Sequence, residues 1–284
     1  MKKIINGKRL KRIIIILILV ILAVAALYSG PVTRNYTLQS DKVNSEITIA
    51  LIADLHSQYF GENQEKLINI IVDADPDIIL MPGDMTNSPY YSSGMVDFME
   101  QAVEIAPCYY VLGNHEYWSN EEDKICEIVS NTGVIVLRSE ITTIECNGNT
   151  IEIHGIDDYD ANYYDEDYID FSWEEHLDTL WSQSSTNDFT ILMSHHPERV
   201  DDYLKYQYGL VVAGHAHGGQ VRIPFLLNGL WSPNQNWFPK YAGGEYQLND
   251  YTTMIVSRGL YNYRWMPRVF NPSEIVVITI SQDS

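Results

Sequence analysis

The chain has few cysteines and few basic residues, and both shortages exclude classes of protein. Its 284 residues include three cysteines, at positions 108, 126 and 146. An odd and sparse set is no disulfide framework, and at most one pair could bridge. Without six cations near the N-terminus, 12 Lys and Arg remain against 38 Asp and Glu, a net charge of about −26. A protein that binds a nucleic-acid backbone needs a basic surface, so this class is not expected.

Long apolar runs are also missing, except in one place near the N-terminus. Residues 13–27 form an apolar run of 15 residues, whereas a membrane-spanning helix needs roughly 20. A cleaved signal peptide and an uncleaved signal anchor therefore both remain open. We favour the anchor, because residues 27–31 make a poor cleavage site. In either case we expect the basic flank to stay in the cytoplasm and the rest of the chain to be exported. That flank consists of Lys2, Lys3, Lys8, Arg9, Lys11 and Arg12.

The order of apolar patterns predicts an α/β protein. Residues 1–28 would be the basic N-terminus and membrane segment, residues 29–45 a polar linker, and residues 46–284 a folded domain. Strand-like runs at 47–52, 78–81 and 109–112 alternate with helical patterns, which implies a parallel sheet. In the second half, strands at 134–137, 141–146 and 151–156 lie close together, followed by strands at 189–193, 210–213, 253–257 and 275–280. We expect two central sheets with helices outside.

Five short polar motifs each follow a predicted strand. The carboxyl ends of strands are where ligand sites gather in α/β sheets, so these motifs are expected to converge. Asp, His and Asn are ligands that suit Mn, Fe, Zn or Co better than calcium. Asp84 is a candidate for a carboxylate that bridges two metal ions. The proposed ligands are Asp54, His56, Asp84, Asn114, His195, His215 and His217.

The ordered set of Asp-x-His, Gly-Asp, Gly-Asn-His-Glu, His and Gly-His-x-His resembles the calcineurin-like metallophosphoesterase family over residues 46–280. Residues 214–220 and 257–260 are similar to a membrane-associated bacterial branch of phosphodiesterase-like proteins. The resemblance implies a four-layer αββα sandwich with two central mixed sheets, and a site for two divalent metal ions. It also implies that His115 contacts the scissile phosphate and stabilises charge or protonates the leaving group.

The expected activity is hydrolysis of a phosphomonoester or a phosphodiester. A hydroxide bridging two metal ions would attack phosphorus in line. The expected substrate is a lipid-linked phosphate or a soluble nucleotide or sugar phosphate. The alternative is a non-catalytic metal-binding scaffold, since a fold alone does not imply turnover. An intact His115 beside a full ligand set favours the enzyme.

Several neighbouring residues have alternative interpretations. His196 competes with His195, but adjacent side chains at a strand end point in opposite directions, and the resemblance favours His195. Arg258 and Arg264 are candidates to bind a non-reacting phosphate oxygen. Residues 221–231 are very apolar, which predicts either packed core or an exposed rim that faces the membrane. The acidic residues 157–170 predict a solvated loop, with calcium binding as the alternative.

Overall fold

A computed structural model describes residues 7–164, 172–185, 187–263 and 266–283. The helices within these ranges are α1 Gly7–Leu27, α2 Glu65–Ala74, α3 Ser93–Ala102, α4 Asn114–Trp118, α5 Glu122–Asn131, α6 Ala161–Tyr164, α7 Trp173–Gln183 and α8 Val200–Tyr203. The strands are β1 Val32–Ser40, β2 Ile47–Leu51, β3 Ile78–Pro82, β4 Cys108–Val111, β5 Ile135–Val136, β6 Glu140–Cys146, β7 Asn149–Gly155, β8 Phe189–Met193, β9 Leu210–Ala213, β10 Trp231–Ser232, β11 Asn236–Trp237, β12 Gly244–Gln247, β13 Thr253–Val256 and β14 Glu274–Gln282.

Two six-stranded mixed sheets form the centre of the domain. The first sheet has the order β1-β14-β2-β3-β4-β5, and the second has the order β12-β13-β9-β8-β7-β6. Strands β2 to β5 are parallel, and so are β13, β9, β8 and β7. The carboxyl ends of the parallel strands within each sheet therefore share one edge.

Alternate side chains of the central strands belong to two different parts of the core, one between the two sheets and one between a sheet and the helices. In β2, Ile49 and Leu51 belong to an apolar cluster shared with Ile191 and Val212 of the second sheet. The neighbouring Ala50 belongs to a second cluster that includes residues of α2, α3 and α5. Successive side chains of a strand point to opposite faces, so one face packs on the other sheet and one on helices. This arrangement confirms the predicted four-layer αββα sandwich.

The predicted linker at residues 29–45 is wrong in part, because residues 32–40 form strand β1. This strand pairs in parallel with β14 along its whole length, from Val32 opposite Glu274 to Ser40 opposite Gln282. It lies at the edge of the sheet and most of its side chains are partly or fully exposed. An exposed edge strand has little of the apolar alternation that marks a half-buried one.

Helix α1 contains the apolar run and is long and apolar enough to cross a membrane. It has 21 residues, and an 18-residue window within it has a mean hydropathy of 2.9 with none of its residues buried. At 1.5 Å per residue its length is about 31 Å, close to the thickness of a bilayer core. The length exceeds the 15-residue apolar run because the basic residues from Lys8 to Arg12 continue the helix.

Residues 221–231 are not packed core. They include no strand except the first residue of the short β10, and Ile223, Phe225 and Leu226 are exposed. The three cysteines are free thiols, and Cys108 is buried in the core. Residues 165–170 of the acidic segment lie outside the described residues. In the described part, Asp157 pairs with Arg138.

Candidate metal centre

All seven predicted ligands lie at the ends of the central strands. Asp54 and His56 follow β2, Asp84 follows β3, and Asn114 is the first residue of α4, directly after β4. His195 follows β8, and His215 and His217 follow β9. All seven side chains are buried, and they meet where the corresponding edges of the two sheets come together.

The ligand atoms form two groups that share Asp84. Asp54, His56, Asp84 and His217 form the first group, and Asp84, His195 and His215 form the second. Within each group the candidate ligand atoms lie within 4.8 Å of one another. One carboxylate that belongs to both groups is the arrangement expected of a bridging ligand between two metal ions.

Asn114 joins the second group through His195. The amide Oδ1 of Asn114 lies 3.2 Å from His195 Nε2, and that same nitrogen lies 3.2 Å from Asp84 Oδ2. In the first group, His56 Nε2 lies 3.7 Å from Asp84 Oδ2, and His217 Nε2 lies 3.7 Å from Asp54 Oδ1. Each group thus combines imidazole nitrogen with carboxylate or amide oxygen, the donor types that hold first-row divalent metals.

Several buried polar atoms in this cluster have no hydrogen-bond partner among the described residues. They include Asp54 Oδ2, His56 Nε2 and His215 Nε2. Buried polar atoms without partners are rare in proteins, and each one calls for an explanation such as an ion. The residues present therefore fit a pair of divalent cations.

Hydrogen bonds on the far sides of the rings orient two of the histidines. His56 Nδ1 donates to Asn87 Oδ1 at 2.6 Å, and His195 Nδ1 donates to the carbonyl of Pro82 at 2.7 Å. A proton fixed on Nδ1 leaves Nε2 with a free lone pair directed at the cluster. Partners of this kind set the tautomer of metal-binding histidines.

Burial favours the neutral forms of Asp54, His56, His215 and His217, whereas for His195 the carboxylates of Asp84 and Asp54 outweigh burial and raise its pKa well above the usual range. Burial raises the pKa of Asp54 to about 7 and lowers the pKa of His56 to about 4. It also lowers the pKa of His215 and His217 well below the usual range. The pKa of Asp84 is well below its usual value, because His195 and His115 outweigh the effect of burial. Neutral imidazoles and an ionised carboxylate are the forms that bind metal.

The backbone around the ligands is strained. Asp54, His56, Asp84, His215 and His217 all have positive φ angles between 46° and 66°. Residues other than glycine adopt this conformation at a cost of order 1–3 kcal/mol each, and such residues concentrate at functional sites. The strained conformation of these five residues is consistent with a functional role for the loops that carry them.

Glycine is required beside the ligands because a side chain would collide with them. A Cβ on Gly83, which has φ +84°, would lie 2.6 Å from His195 Nδ1. A Cβ on Gly259, with φ +66°, would lie 2.5 Å from Asp54 Oδ2. The loop at residues 257–260, which the sequence analysis noted only as a resemblance, therefore packs directly on a ligand.

Glu116 holds two of the ligand loops together. Its buried carboxylate accepts hydrogen bonds from the backbone amides of Asp84 at 3.0 Å, Thr86 at 2.9 Å and Gly113 at 2.8 Å. Burial, with Asp84 nearby, raises the pKa of Glu116 to about 8. Glu116 is not in either ligand group.

His195 and His196 point to different partners, as expected for adjacent residues after a strand. His195 faces Asp84, whereas His196 lies 3.0 Å from Asp158 Oδ2 and 2.7 Å from Glu198 Oε1. Burial opposes the charge on His196, but these carboxylates outweigh it and raise its pKa to about 10. Its ring lies 4.2 Å from that of His215 and supports this ligand from outside.

The two arginines predicted to contact substrate have different outcomes. Arg258 is buried, and its guanidinium binds Glu274 Oε2 at 3.1 Å and the carbonyl of Gly243 at 3.0 Å. The predicted substrate contact is therefore wrong, because the charge of Arg258 is already paired inside the fold. Arg264 lies outside the described residues.

Arg268 is a buried cation near the ligands that was not among the predicted site residues. Its Nε donates to the carbonyl of Tyr261 at 2.9 Å, and its two terminal nitrogens have no hydrogen-bond partner among the described residues. Burial lowers its pKa to about 10, while the charge of Asp54 raises it. A single Arg between Pro267 and Val269 carries no motif, so no local signal marked it.

A cavity of about 420 Å³ opens beside the cluster. His115 lies in its wall, with its ring 4.6 Å from His56 and 4.7 Å from Trp118. The backbone amide of His115 donates to Asp84 Oδ1 at 2.9 Å. Tyr263 also lies in the cavity wall. The other lining residues are Asp84, Asn114, Trp118, His215, Ala216, His217, Gln220, Trp231, Pro233 and Met266.

Known proteins share both the sequence pattern and the fold. The uncharacterized metallophosphoesterase YkoQ of Bacillus subtilis is 28% identical over 184 residues, which cover 63% of this chain and 64% of that protein. The phosphodiesterase YaeI of Escherichia coli is 24% identical over 191 residues, 63% of each chain. The matches thus span less than two thirds of these relatives' lengths.

The fold is similar to that of a putative 5′-nucleotidase from Staphylococcus aureus, with a TM-score of 0.51, 14% identity, and coverage of 84% of this chain and 55% of that one. The family model for calcineurin-like phosphoesterases matches residues 47–219, which carry the seven ligands. The chain belongs to the calcineurin-like phosphoesterase family.

Proposed function

We propose that this protein hydrolyses phosphodiesters in the cavity beside Asp84, with all seven predicted ligands holding two divalent metal ions. The observation that carries the proposal is the pair of ligand groups that share Asp84, next to a cavity that also contains His115. Two bound cations would supply Lewis acidity and an acidified water for in-line attack on phosphorus. Several metals suit the ligands, with Mn, Fe, Zn and Co as candidates.

His115 is proposed to act on the leaving group. Its ring is partly exposed in the cavity, while its backbone amide is bonded to Asp84 Oδ1. The imidazole lies against the ring of the ligand His56 and is not itself in either ligand group. A histidine in this position can donate a proton to the departing ester oxygen, an effect worth about 10²–10⁴ in rate.

The cavity favours a diester over a monoester. None of its described lining residues is Lys or Arg. A phosphomonoester carries up to about two negative charges at pH 7, and no Lys or Arg among the described lining residues pairs with the second charge. A diester carries one charge, and its second organic group would pack against Trp118, Trp231 and Met266. The relative YaeI is named a phosphodiesterase, which supports the same proposal.

The domain is further proposed to work outside the cytoplasm, attached by α1 as a single-pass membrane anchor. Basic residues precede the apolar part of α1, and the basic flank of a membrane segment tends to stay in the cytoplasm. The domain that follows would then lie on the opposite face. A signal peptide removed after export is the alternative.

The test measures hydrolysis of bis-p-nitrophenyl phosphate and p-nitrophenyl phosphate by the full chain with Mn²⁺. We expect a higher kcat/KM for the diester. Asp84→Asn should lower metal content and activity together, whereas His115→Ala should keep the metal and lower kcat by about 10²–10⁴. His176→Ala on α7 is the matched control. A chain that holds metal but hydrolyses neither ester would favour a scaffold.

A further inference from the structure

The membrane helix joins the domain at the edge that carries the metal ligands. Strand β1 is parallel to β14, which is antiparallel to β2 and pairs Val276 with Leu51. The start of β1 and the end of β2 therefore lie at the same edge of the sheet, and Asp54 follows the end of β2. Four residues separate Leu27, the end of α1, from Val32. This connection can span at most about 18 Å.

Two hydrogen bonds tie the end of α1 to the segment that lines the cavity. The carbonyl of Ala26 accepts from the backbone amide of Phe270 at 2.7 Å. The carbonyl of Ser29 accepts from Asn262 Nδ2 at 3.3 Å. Tyr263, beside Asn262, is in the cavity wall. The end of the helix and the cavity wall are therefore neighbours in space.

Exposed apolar side chains lie next to this junction. We call Ile223, Phe225 and Leu226 the apolar rim; Phe225 is fully exposed and Leu226 is 85% exposed. The rim begins directly after Arg222, whose amide donates to the carbonyl of Val269 at 2.9 Å, one residue before the contact with α1. Clustered exposed apolar side chains mark an interaction surface.

A second exposed pair lies beside the cavity. Trp237 and Phe238 are each 66% exposed. Trp237 pairs with Trp231 in the ribbon of β10 and β11, and Trp231 lines the cavity. Tryptophan is enriched where proteins meet the interface between membrane and water.

Two long segments, each of which contributes a loop to the site, contain no acidic residues. About one residue in seven of the whole chain is Asp or Glu, yet residues 203–244 and 251–273 contain none, where about nine would be expected. An anionic bilayer repels acidic side chains and attracts basic ones. The basic residues of these segments are Lys205, Arg222, Lys240, Arg258, Arg264 and Arg268.

We infer that this face of the domain rests on the lipid bilayer in which α1 is anchored, with the apolar rim inserted at the level of the headgroups. The inference rests on the proposed membrane attachment and adds the orientation of the domain. The cavity then opens beside the membrane surface, and its substrate class is an amphiphilic phosphodiester presented by the bilayer. The short connection after α1 and the acid-free segments support the same face.

The orientation is tested with the full chain in vesicles of phosphatidylcholine and phosphatidylglycerol. Phe225→Cys carries an environment-sensitive fluorophore, and spin-labelled phosphatidylcholine is the quencher. Tyr251→Cys is the matched control, because Tyr251 is also an exposed aromatic residue, 69% exposed, but lies in a separate groove beside Ser40 and Asp283, the far ends of β1 and β14. The chain without an added cysteine gives the background from the native thiols.

We expect quenching at position 225 to exceed that at position 251 by at least about threefold, since an interfacial apolar residue sits about 5–10 Å into the headgroup and acyl boundary. Equal quenching at the two positions would overturn the inference. This readout needs no catalysis, so it is independent of whether the chain hydrolyses any ester.

The second arm compares two substrates in the double variant Phe225→Ser and Leu226→Ser. Hydrolysis of soluble bis-p-nitrophenyl phosphate should stay within about twofold of the unmodified chain, because the rim is not in the cavity wall. Hydrolysis of a vesicle-embedded p-nitrophenyl diester of diacylglycerol phosphate should fall at least about tenfold, the factor for losing one buried apolar side chain. An unchanged rate on the vesicles would also overturn the inference. Failure of the unmodified chain on both esters would instead refute the proposed function.

Discussion

The Glu116 side chain is fully buried and joins the loop of Asp84 to the loop of Asn114. One carboxylate oxygen, Oε2, accepts from the amides of Asp84 and Gly113, and the other, Oε1, accepts from the amide of Thr86. Glu116→Gln keeps the size of the side chain but replaces one acceptor with an NH₂ donor. The best orientation keeps the two bonds at the Oε2 position and places this donor against the amide of Thr86.

The loss of stability caused by each substitution of Glu116 follows from the number of backbone amides that lose their hydrogen-bond acceptor. Glu116→Gln leaves one buried amide without a partner, which costs about 1–3 kcal/mol. For a domain of this size, each kcal/mol lowers Tm by about 2–4 °C, so the expected fall is about 2–12 °C. Glu116→Ala leaves three amides without a partner, at about 3–9 kcal/mol. That approaches the whole stability of a typical domain, so this variant should be largely unfolded.

The consequence for the site is weaker metal binding. Mutation of a residue that holds metal ligands in place typically lowers the metal affinity or the activity by about 10–100-fold. Glu116→Gln should therefore need about 10–100-fold more Mn²⁺ for half-maximal hydrolysis, and excess metal should restore most of the rate.

The assay combines thermal unfolding of the metal-free chain with a titration of activity against Mn²⁺. Glu100→Gln is the control, because Glu100 is an exposed carboxylate on α3. A Glu116→Gln variant that matches this control in both Tm and metal requirement would rule out the proposed role of Glu116. A loss of activity that excess metal cannot restore would show that Glu116 acts in catalysis itself.

Three further predictions follow from single contacts. Arg258→Gln breaks the buried pair with Glu274 and should destabilise the protein by about 3–5 kcal/mol in chemical unfolding, while KM of the folded fraction stays unchanged. Gly259→Ala should abolish metal binding, measured by metal analysis, because its Cβ would lie 2.5 Å from Asp54 Oδ2. Burial tends to raise the pKa of Glu152, but bonds from neighbouring Ser and His side chains lower it below 4.5. The Glu152 carboxylate therefore stabilises the fold above that pH, and Glu152→Gln should flatten the loss of stability on acidification.

The ligand loops could be predicted from the sequence because each obeys a local rule. Strands such as β8 and β9 are buried parallel strands and appear as continuous apolar runs, so their bounds were predicted correctly. Polar residues and glycines directly after the runs mark the strand ends. Strand β1 has no such local mark, because its place depends on pairing with β14 more than 200 residues later in the chain.

Arg258 and Arg268 show where sequence reasoning fails. Both are cations in a segment that folds over the site, and nothing in the residues around them distinguishes a charge that binds substrate from one buried in the fold. The distinction depends on Glu274, which receives Arg258. It depends also on the packing that buries Arg268 near Asp54, where no described carboxylate bonds to its guanidinium. The pairing of Arg258 and the burial of Arg268 are both set by tertiary structure, since contacts between residues distant in sequence decide which charges are compensated.

The net negative charge of the protein bears on both the proposed metal ions and the proposed membrane orientation, because both would help an anionic substrate to reach the site. A chain with 20 more acidic than basic residues repels an anionic phosphoester at long range. Two divalent cations would bring about four positive charges to a ligand set with two carboxylates, Asp54 and Asp84, so the loaded site would be positive only locally. Screening limits such a field to about 8 Å at physiological salt. In the proposed orientation, a substrate held in a bilayer beside the cavity would need no long-range attraction, so the acidic surface would not keep it from the site.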